Sequence, residues 1–218
     1  MDTKQLKYII INQNIMKKSI LTYIIATISL CSYGQISFGL KAGLNINSLG
    51  ASSSVVADNY KSNLGFHFGV YGQVKLNDRL FFIPELQFNQ RGASTNSSTN
   101  TNGRINLNYI DFPILFSYQP IKKISIDLGP NLSYKLSAVA TSGSSSNNVD
   151  NLFDKNFDIG VSTGVRFNVT DKISIIGRYY YAISSVTEIT YADINNNKTQ
   201  VTLANRTLQF GISYKLLD

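Results

Sequence analysis

Charged side chains recur on the polar rows of segments in which every second residue is apolar. Six of them fall at similar heights when each segment is counted from its tight turn: Lys41, Glu85, Asp111, Asp127, Arg166 and Arg178. Such carboxylates and basic groups could act as acid–base pairs, or they could neutralise one another in a closed interior, where a lone ion costs on the order of several kcal/mol. Because the pattern implies no substrate cleft, we favour a structural salt-bridge network that plugs the lumen.

His67 is the only histidine of the chain, and it lies on a polar row near the loop end of the second predicted strand. The abundant serines leave a hydrolytic Ser–His pair open, but abundance alone does not indicate one. A metal site would need further nitrogen or sulfur ligands, and a single histidine makes one improbable. The sequence also has no phosphate-binding glycine loop, zinc motif or nucleophile elbow. We therefore expect a non-enzymatic protein without metal or cofactor, in which His67 is a hydrogen-bonded interior residue.

The first residues have the organisation of a secretory signal. A pair of lysines precedes the apolar run Ser19–Leu30, and small residues follow before a predicted cleavage after Gly34. This apolar run is shorter than the roughly 18 residues that a transmembrane helix needs. We assign residues 1–34 to a signal peptide, interpret 1–15 as an upstream extension from a misread start codon, and place the mature domain at 35–218.

The mature segment would have no cysteine and only a mild charge. Cys31, the single cysteine, lies in the predicted signal, so disulfides cannot stabilise the domain. Loss of four lysines and Asp2 lowers the formal net charge from +7 to +4, which does not indicate nucleic-acid binding. Charged residues make up 15% of a chain rich in Gly and Tyr. That composition favours one domain of β structure.

Strict alternation of apolar and polar residues recurs over about ten residues at a time. The clearest case is Thr207–Leu216, in which every even position is apolar and every odd position is glycine or polar. The same two-residue period occurs in Ile36–Asn47, Phe66–Leu76 and Phe157–Val169. With about eight such segments and no helical periodicity, the sequence predicts an all-β fold, an eight-stranded antiparallel up-and-down transmembrane β-barrel.

The predicted connections alternate in length. Tight turns are expected at Asn77–Asp78, Pro120–Ile121 and Thr170–Asp171, and long polar loops near 48–62, 93–103, 141–153 and 190–200. Short turns on one rim and long loops on the other are typical of barrels in bacterial outer membranes, with the apolar belt facing lipid and both mature termini periplasmic. The narrow interior of eight strands is filled by side chains, which disfavours a diffusion pore.

Three prolines conflict with regular strands. Pro84, Pro113 and Pro130 lie inside predicted strands, where proline removes a ladder hydrogen bond, so we expect bulges or irregular pairing there. The alternation also changes phase around Tyr109 and Ile110, which predicts a bulge.

Three segments carry a likeness to a known family: Leu107–Leu115, in which Asp111 stands where the family usually has glutamate, Gly129–Tyr134, and the strands from Phe157 to Tyr179. In these segments the chain resembles the PorT-like outer-membrane β-barrel family of Gram-negative bacteria. It covers nearly all of the mature chain and implies an integral barrel that is inserted by the outer-membrane assembly machinery. It implies little about function, although some members are tied to protein secretion.

The last strand also resembles the signal that the barrel-assembly machinery reads. Its residues are Gln209, Phe210, Gly211, Tyr214 and Leu216, although Leu217 and Asp218 follow where such chains often end on an aromatic residue.

We expect a monomeric barrel whose partners are outer-membrane lipid and lipopolysaccharide, the assembly machinery, and an envelope or secretion-system protein bound through the loops. The alternatives that stay open are an outer-membrane lipid-modifying enzyme and a small diffusion pore.

Overall fold

The computed structural model describes residues 36–52, 60–95, 103–142, 145–153, 155–192 and 198–217. The predicted signal peptide, with its cleavage after Gly34 and the extension at 1–15, lies outside the described residues. Among the described residues, no helix has the length and apolar character needed to span a bilayer.

Eight long strands form a closed antiparallel ring. They are β1 (Ile36–Ala51), β3 (Asn63–Lys75), β4 (Leu80–Thr95), β5 (Gly103–Ile121), β6 (Ile124–Ser142), β8 (Phe157–Asn168), β9 (Ile173–Ala182) and β11 (Lys198–Leu217). Each pairs with the next along the chain, and β11 pairs with β1 to close the ring. The predicted eight-stranded antiparallel barrel is therefore confirmed.

Three short strands sit beside the ring at its loop end. They are β2 (Tyr60–Lys61), which pairs with β4, β7 (Ser145–Asn148), which pairs with β6, and β10 (Thr187–Ala192), which pairs with β11. A 3-10 turn follows β7 at Asp150–Leu152. These elements fall within or beside the segments that the sequence predicted as long loops, so part of those loops is ordered structure that extends the wall.

The tight turns lie at the opposite end of the ring. Asn77 accepts hydrogen bonds at Oδ1 from the amides of Arg79 and Leu80 at 2.9 Å, and Thr170 accepts at Oγ1 from the amides of Lys172 and Ile173. These side-chain acceptors are typical of Asx and ST turns. The turn predicted at Pro120–Ile121 is two residues too early, because β5 continues to Ile121 and the chain reverses at 122–123.

Alternation places large apolar side chains on the outside of the ring. Leu44 is 65% exposed and Leu128 is 55% exposed, whereas Asn45 and Asp127 beside them are fully buried. In β5 the outward apolar row runs from Ile110 to Tyr118, a rise of roughly 27 Å that a strand tilt of about 40° reduces to about 21 Å. This height is close to the apolar band of about 25 Å on outer-membrane barrels.

Outward polar residues mark the loop-side boundary of this apolar belt. Asn108 donates through Nδ2 to Ser137 Oγ at 2.9 Å and accepts from Gln90 Nε2 at 3.4 Å, and all three stand on the outer rows of β4, β5 and β6. The guanidinium of Arg206 lies 3.5 Å from the ring centroid of Tyr181 and donates to the carbonyl of Ala182 at 2.9 Å. Strands β5 and β6 continue past this boundary, so the barrel wall extends beyond the belt on the loop side.

The prolines interrupt the pairing but do not shift the register, so of the two expectations irregular pairing occurs and bulges do not. Pro84 stays paired with Ile114 of β5, Pro113 with Asn131 of β6 and Pro130 with Val161 of β8, while each drops out of the ladder with its other neighbour. In an antiparallel sheet a residue directs its N–H and C=O to one neighbouring strand, so a proline interrupts the ladder on one side only. A register shift does occur at Asn108/Tyr109, where the extra residue belongs to β6.

Candidate functional site

The interior of the ring contains an ion-pair cluster at mid-height that joins opposite walls. Arg178 of β9 donates from Nη1 and Nη2 to the two carboxylate oxygens of Glu85 of β4 at 2.7 and 2.9 Å. Three strands separate β4 from β9 in either direction around the ring, so this bidentate pair spans the full width of the barrel. Lys41 of β1 donates to the same Glu85 carboxylate at 2.7 Å.

A second carboxylate extends this mid-height cluster. Asp127 of β6 lies 3.1 Å from Nη2 of Arg166 and 3.6 Å from Nη2 of Arg178. Arg166 also places its guanidinium 5.6 Å from the ring centroid of Tyr71. The mid-height cluster therefore holds three cations and two carboxylates, with side chains that are 5% exposed or less.

A separate ion cluster lies nearer the loop end. The fully buried Arg91 of β4 donates to Asp111 of β5 at 2.7 Å and to Asp158 of β8 at 3.0 Å. Its guanidinium is also stacked between aromatic rings, 4.8 Å from the centroid of Tyr109 and 3.9 Å from that of Tyr180. Such contacts stabilise a desolvated arginine by about 2 kcal/mol. Together the two clusters contain four basic groups and four carboxylates.

The structure brings five of the six predicted lumen residues into one cluster. The exception is Asp111, which belongs to the cluster nearer the loop end. It pairs there with Arg91 and not with Lys41, Arg166 or Arg178. Sequence reasoning missed Arg91 and did not assign Asp158 to the network. The signal was available for Arg91, because it stands on the same odd-numbered inner row of β4 as Glu85.

His67 is buried in a network of side-chain amides. Its Nδ1 lies 2.7 Å from Asn45 Oδ1, while Asn45 Nδ2 donates to Asn89 Oδ1 at 2.6 Å. Because Asn45 Oδ1 can only accept in this arrangement, His67 donates from Nδ1. The other edge of the ring faces β11, since a Cβ placed on Gly211 would lie 3.0 Å from His67 Nε2. Over the described ranges, no group of three His, Cys, Asp or Glu residues is arranged to hold a metal ion.

Apolar side chains fill the interior at the loop end. Leu49, Leu107, Val201 and other inward residues of the strands surround Phe153, which follows the 3-10 turn, and Val186, which precedes β10. We refer to this cluster as the apolar cap. Phe153 is 4% exposed and Val186 is 1% exposed, so residues of the two connecting segments are packed into the mouth of the barrel.

Polar contacts hold these segments in place. Lys135 of β6 donates to the carbonyl of Phe153, and Thr187 Oγ1 donates to the carbonyl of Leu152 at 2.8 Å. Lys155 joins the two segments through an ion pair of 2.6 Å with Glu188. The apolar cap is thus anchored both to the strands and across the two segments.

A cavity of about 570 Å³ occupies the opposite, short-turn end. Tyr71 and Phe81 form part of its inner wall, Arg166 of the mid-height cluster lines it, and residues of the turns form its rim. We call this cavity the vestibule. At its rim Lys75 donates to Asp78 at 2.9 Å, and this hydrogen bond holds the pKa of the Asp78 carboxyl below its ordinary value.

The residues of the predicted assembly signal lie on the closing strand, β11. Phe210, Tyr214 and Leu216 point outward and are between 44% and 52% exposed, whereas Gln209 is buried on the inner row. Gly211, also on the inner row, faces Gly43 of β1 in the register that closes the ring. The five residues therefore divide between the lipid-facing and inner surfaces of one strand.

Several solved structures are similar to this chain at low sequence identity. Neisserial surface protein A is similar at 20% identity with a TM-score of 0.48, over 82% of this chain and 97% of that one. Ail, the attachment invasion locus protein of Yersinia pestis, is similar at 15% identity with a TM-score of 0.46, over 83% and 98%. OprG from Pseudomonas aeruginosa is similar at 10% identity with a TM-score of 0.47, over 84% and 96%. No curated protein sequence matches the chain.

A comparison of the chain with models of protein families gives the family assignment. The model of the family described as "Outer membrane protein beta-barrel domain" matches residues 23–188, which is most of the chain. This match covers the ring from β1 to the start of β10 and does not distinguish the PorT-like group expected from the sequence. The chain is an integral outer-membrane protein that belongs to the outer membrane protein beta-barrel domain family.

Proposed function

We propose that the protein is a non-enzymatic barrel with a sealed interior, and that its loop-side surface binds a partner in the cell envelope. The observation that carries this proposal is the filling of the barrel. Ion pairs join opposite walls at mid-height, and above them Phe153 and Val186 are packed into the mouth. A channel or substrate tunnel along the axis would have to displace both.

A planar-bilayer measurement tests the seal. The folded barrel should give no steady conductance above that of the bare membrane, because the mid-height ion pairs and the apolar cap block the described interior between the vestibule and the loop end. Phe153→Ala should loosen the apolar cap, while Leu152→Ala, a neighbouring side chain that is 66% exposed, serves as the matched control. Steady conductance of the unmodified barrel would refute the sealed interior and favour the diffusion pore.

The binding role is supported by the ordered loop-side rim. Short strands β2, β7 and β10 extend the wall, and the Lys155–Glu188 ion pair joins two of the connecting segments. An ordered surface can hold contact residues in place before a partner arrives, which reduces the entropy cost of binding. The PorT-like resemblance favours a partner that is an envelope or secretion-system protein. Shortening 141–153 should abolish binding or secretion while the barrel still inserts.

The proposal also includes the orientation of the barrel in the outer membrane. We place the long connections outside the cell and both mature ends in the periplasm, as in other barrels with short turns on one rim. A membrane-impermeant maleimide added to intact cells should label Ser146→Cys in β7 and leave Arg79→Cys in the first tight turn unlabelled. Labelling of Arg79→Cys alone would refute this orientation.

The outward side chains of the barrel indicate which lipids it contacts. The apolar belt should contact outer-membrane lipid, and the Arg206–Tyr181 pair at the loop-side boundary is suited to a phosphate of lipopolysaccharide. The outward aromatic and apolar residues of β11 support recognition by the barrel-assembly machinery. The lipid-modifying enzyme remains the second candidate, and unchanged lipid A and phospholipids on overexpression would exclude it.

A further inference from the structure

A row of hydrogen-bond donors crosses the outer face of the wall at the loop end. In the register of the sheet, Ser94 of β4 pairs with Lys61 of β2 on one side and with Arg104 of β5 on the other. The row continues from Arg104 to Thr141 of β6, and from there to Ser146 of β7. Residues paired in this way share one face of a sheet, and all five can donate hydrogen bonds. We call these five residues the donor row.

The donor row points away from the barrel axis. Ala93 belongs to the apolar cap, so Ser94 points to the opposite, outer face of β4. Ile105 packs against the same cap, so Arg104 points outward from β5. Lys61 and Arg104 are exposed. The donor row therefore faces the material that surrounds the wall and does not face the mouth of the barrel.

The two cations of the donor row have no partner among the described residues. Neither Lys61 nor Arg104 forms an ion pair or a side-chain hydrogen bond there. The segment 96–102, which leads into Arg104, contains no carboxylate, whereas Asp58 stands three residues before Lys61. An unpaired guanidinium attracts anions, and its planar fork matches phosphate bidentately. Arg104 is therefore the residue on which an anion site in this row depends most.

The long connecting segments contribute two described carboxylates, and both are committed elsewhere. Glu188 pairs with Lys155 at 2.6 Å. Asp150 accepts hydrogen bonds from the backbone amide of Ala138 and, at 2.9 Å, from Asn148 Nδ2. The cations of the donor row are thus available to an anion from outside the chain.

The donor row lies above the apolar belt. Arg104 stands four residues beyond Asn108, which marks the loop-side boundary, and a strand tilted by about 40° rises about 10 Å over that distance. The phosphate of a phospholipid headgroup lies at the boundary, near the level of Asn108. The core saccharide of lipopolysaccharide extends further from the membrane and carries phosphate groups, so it reaches the level of the donor row.

We propose that the donor row docks a phosphate of the core saccharide of a lipopolysaccharide molecule in the surrounding leaflet. Lys61 and Arg104 lie two strand spacings apart, about 10 Å, with Ser94 between them. Both side chains can therefore reach one phosphate placed over Ser94, while Thr141 and Ser146 offer hydroxyl groups to the sugar. This assignment depends on the proposed function, whose orientation puts the loop end in the leaflet that contains lipopolysaccharide.

Native mass spectrometry of the folded barrel released from detergent micelles tests the proposal, because it counts the lipid molecules bound to each barrel. Rough lipopolysaccharide that retains its core phosphates is titrated, and the same material after dephosphorylation is the reference. We expect the unmodified barrel to bind the phosphorylated form more tightly. Both rims are accessible in a micelle, so a wrong orientation would leave this result unchanged, and a failure to bind counts against the site alone.

Exposed arginines at opposite ends of the barrel supply matched variants. Arg104→Gln should weaken binding of the phosphorylated form about fivefold, the usual contribution of one basic residue at an anionic lipid surface, and Lys61→Gln combined with it about twenty-fivefold. Arg79→Gln makes the same change in the first tight turn, where the side chain is also exposed, and should leave binding unchanged. Arg104→Lys keeps the charge and should retain most of the affinity.

A phospholipid control separates the core saccharide from the membrane boundary. Dioleoyl phosphatidylglycerol should bind Arg104→Gln as well as it binds the unmodified barrel, because its phosphate lies near the level of Asn108. A loss of phosphatidylglycerol binding as large as the loss for lipopolysaccharide would overturn the proposal.

Two other results would also overturn it. The first is equal binding of lipopolysaccharide to the unmodified barrel and to the variant that lacks both Lys61 and Arg104. The second is equal weakening by Arg104→Gln and Arg79→Gln, which would show attraction to a diffuse positive field rather than docking at a site. Far-UV circular dichroism checks that each variant is folded, and none of the substituted side chains is buried.

Discussion

Replacing Glu85 with glutamine removes the acceptor that joins two walls of the barrel. Lys41 loses its partner at 2.7 Å, and Arg178 loses a bidentate partner but retains Asp127 at 3.6 Å. Breaking a buried ion pair from one side costs about 3–5 kcal/mol, because it leaves an uncompensated charge. Since Asp127 still compensates Arg178, we expect Glu85→Gln to lower the free energy of unfolding by about 3 kcal/mol.

Urea titration of the barrel in lipid vesicles measures this change. The chain has no tryptophan, so unfolding is followed by far-UV circular dichroism and by the difference in gel mobility between heated and unheated samples. Glu188→Gln is the matched control, because its ion pair with Lys155 is 2.6 Å long but its side chain is 48% exposed. This control should cost under about 1 kcal/mol. Equal destabilisation by the two variants would refute the argument that burial sets the cost.

A double substitution distinguishes the cost of losing the Lys41–Glu85 ion pair from the cost of leaving Lys41 buried without a partner. Lys41→Met combined with Glu85→Gln removes the cation that the single variant leaves without its partner. Replacing both partners of a buried pair is often nearly neutral, so the double variant should recover about half of the loss. A double variant that is as unstable as the sum of the two single variants would show that Lys41 and Glu85 are not coupled.

Two further predictions concern the inner and outer surfaces. Gly160→Ala should destabilise the barrel by about 1–3 kcal/mol, because the added Cβ would lie 2.6 Å from Cε2 of Tyr180. Gly177→Ala on the outer row should be tolerated, because its added Cβ would lie 4.0 Å from the nearest atom. Urea titration of the two variants measures the difference in stability. Leu132→Arg, near the middle of the belt, should lower the free energy of unfolding in lipid vesicles by about 2–4 kcal/mol. Ile121→Arg, at the short-turn end, should lower it by about 0–1 kcal/mol. Equal losses would contradict the placement of the belt.

The ring was predictable from the sequence because one physical cause, lipid outside and polar groups inside, acts on every strand. In β11 the rule that separates Phe210 from Gln209 holds from Thr207 to Leu216, and β1 obeys it in the register that closes the ring. The inner position of Lys41, Glu85 and Asp127 follows from this parity alone.

The choice of ion-pair partners was not predictable in the same way. Parity fixes the face of a residue but not its height after the strands tilt and stagger, so counting from the turns grouped Asp111 with the wrong cations. In the structure Asp111 shares Arg91 with Asp158. The apolar cap was missed for another reason, since Phe153 and Val186 lie in polar connecting segments that show no alternation.

The ordered rim strands and the prolines show two further limits of the pattern. Ser145–Asn148 has no apolar row, and it becomes β7 only because the edge of β6 beside it offers hydrogen bonds. At the prolines the sequence predicted bulges or irregular pairing, and the structure shows the irregular pairing alone, on one side of each proline. The lost hydrogen bond was predictable, but the neighbouring strand that loses it depends on the direction of the N–H, which the sequence pattern does not give.

The ion pair between Glu85 and Arg178 also constrains the order in which the barrel is built. These residues are 93 positions apart in sequence and lie on opposite walls, so no hairpin of neighbouring strands contains both. The two charges can meet only after the sheet from β4 to β9 has curled enough to bring opposite walls together. We therefore expect the inner side of a partly assembled sheet to stay in contact with water until that stage, because a lone buried ion is costly.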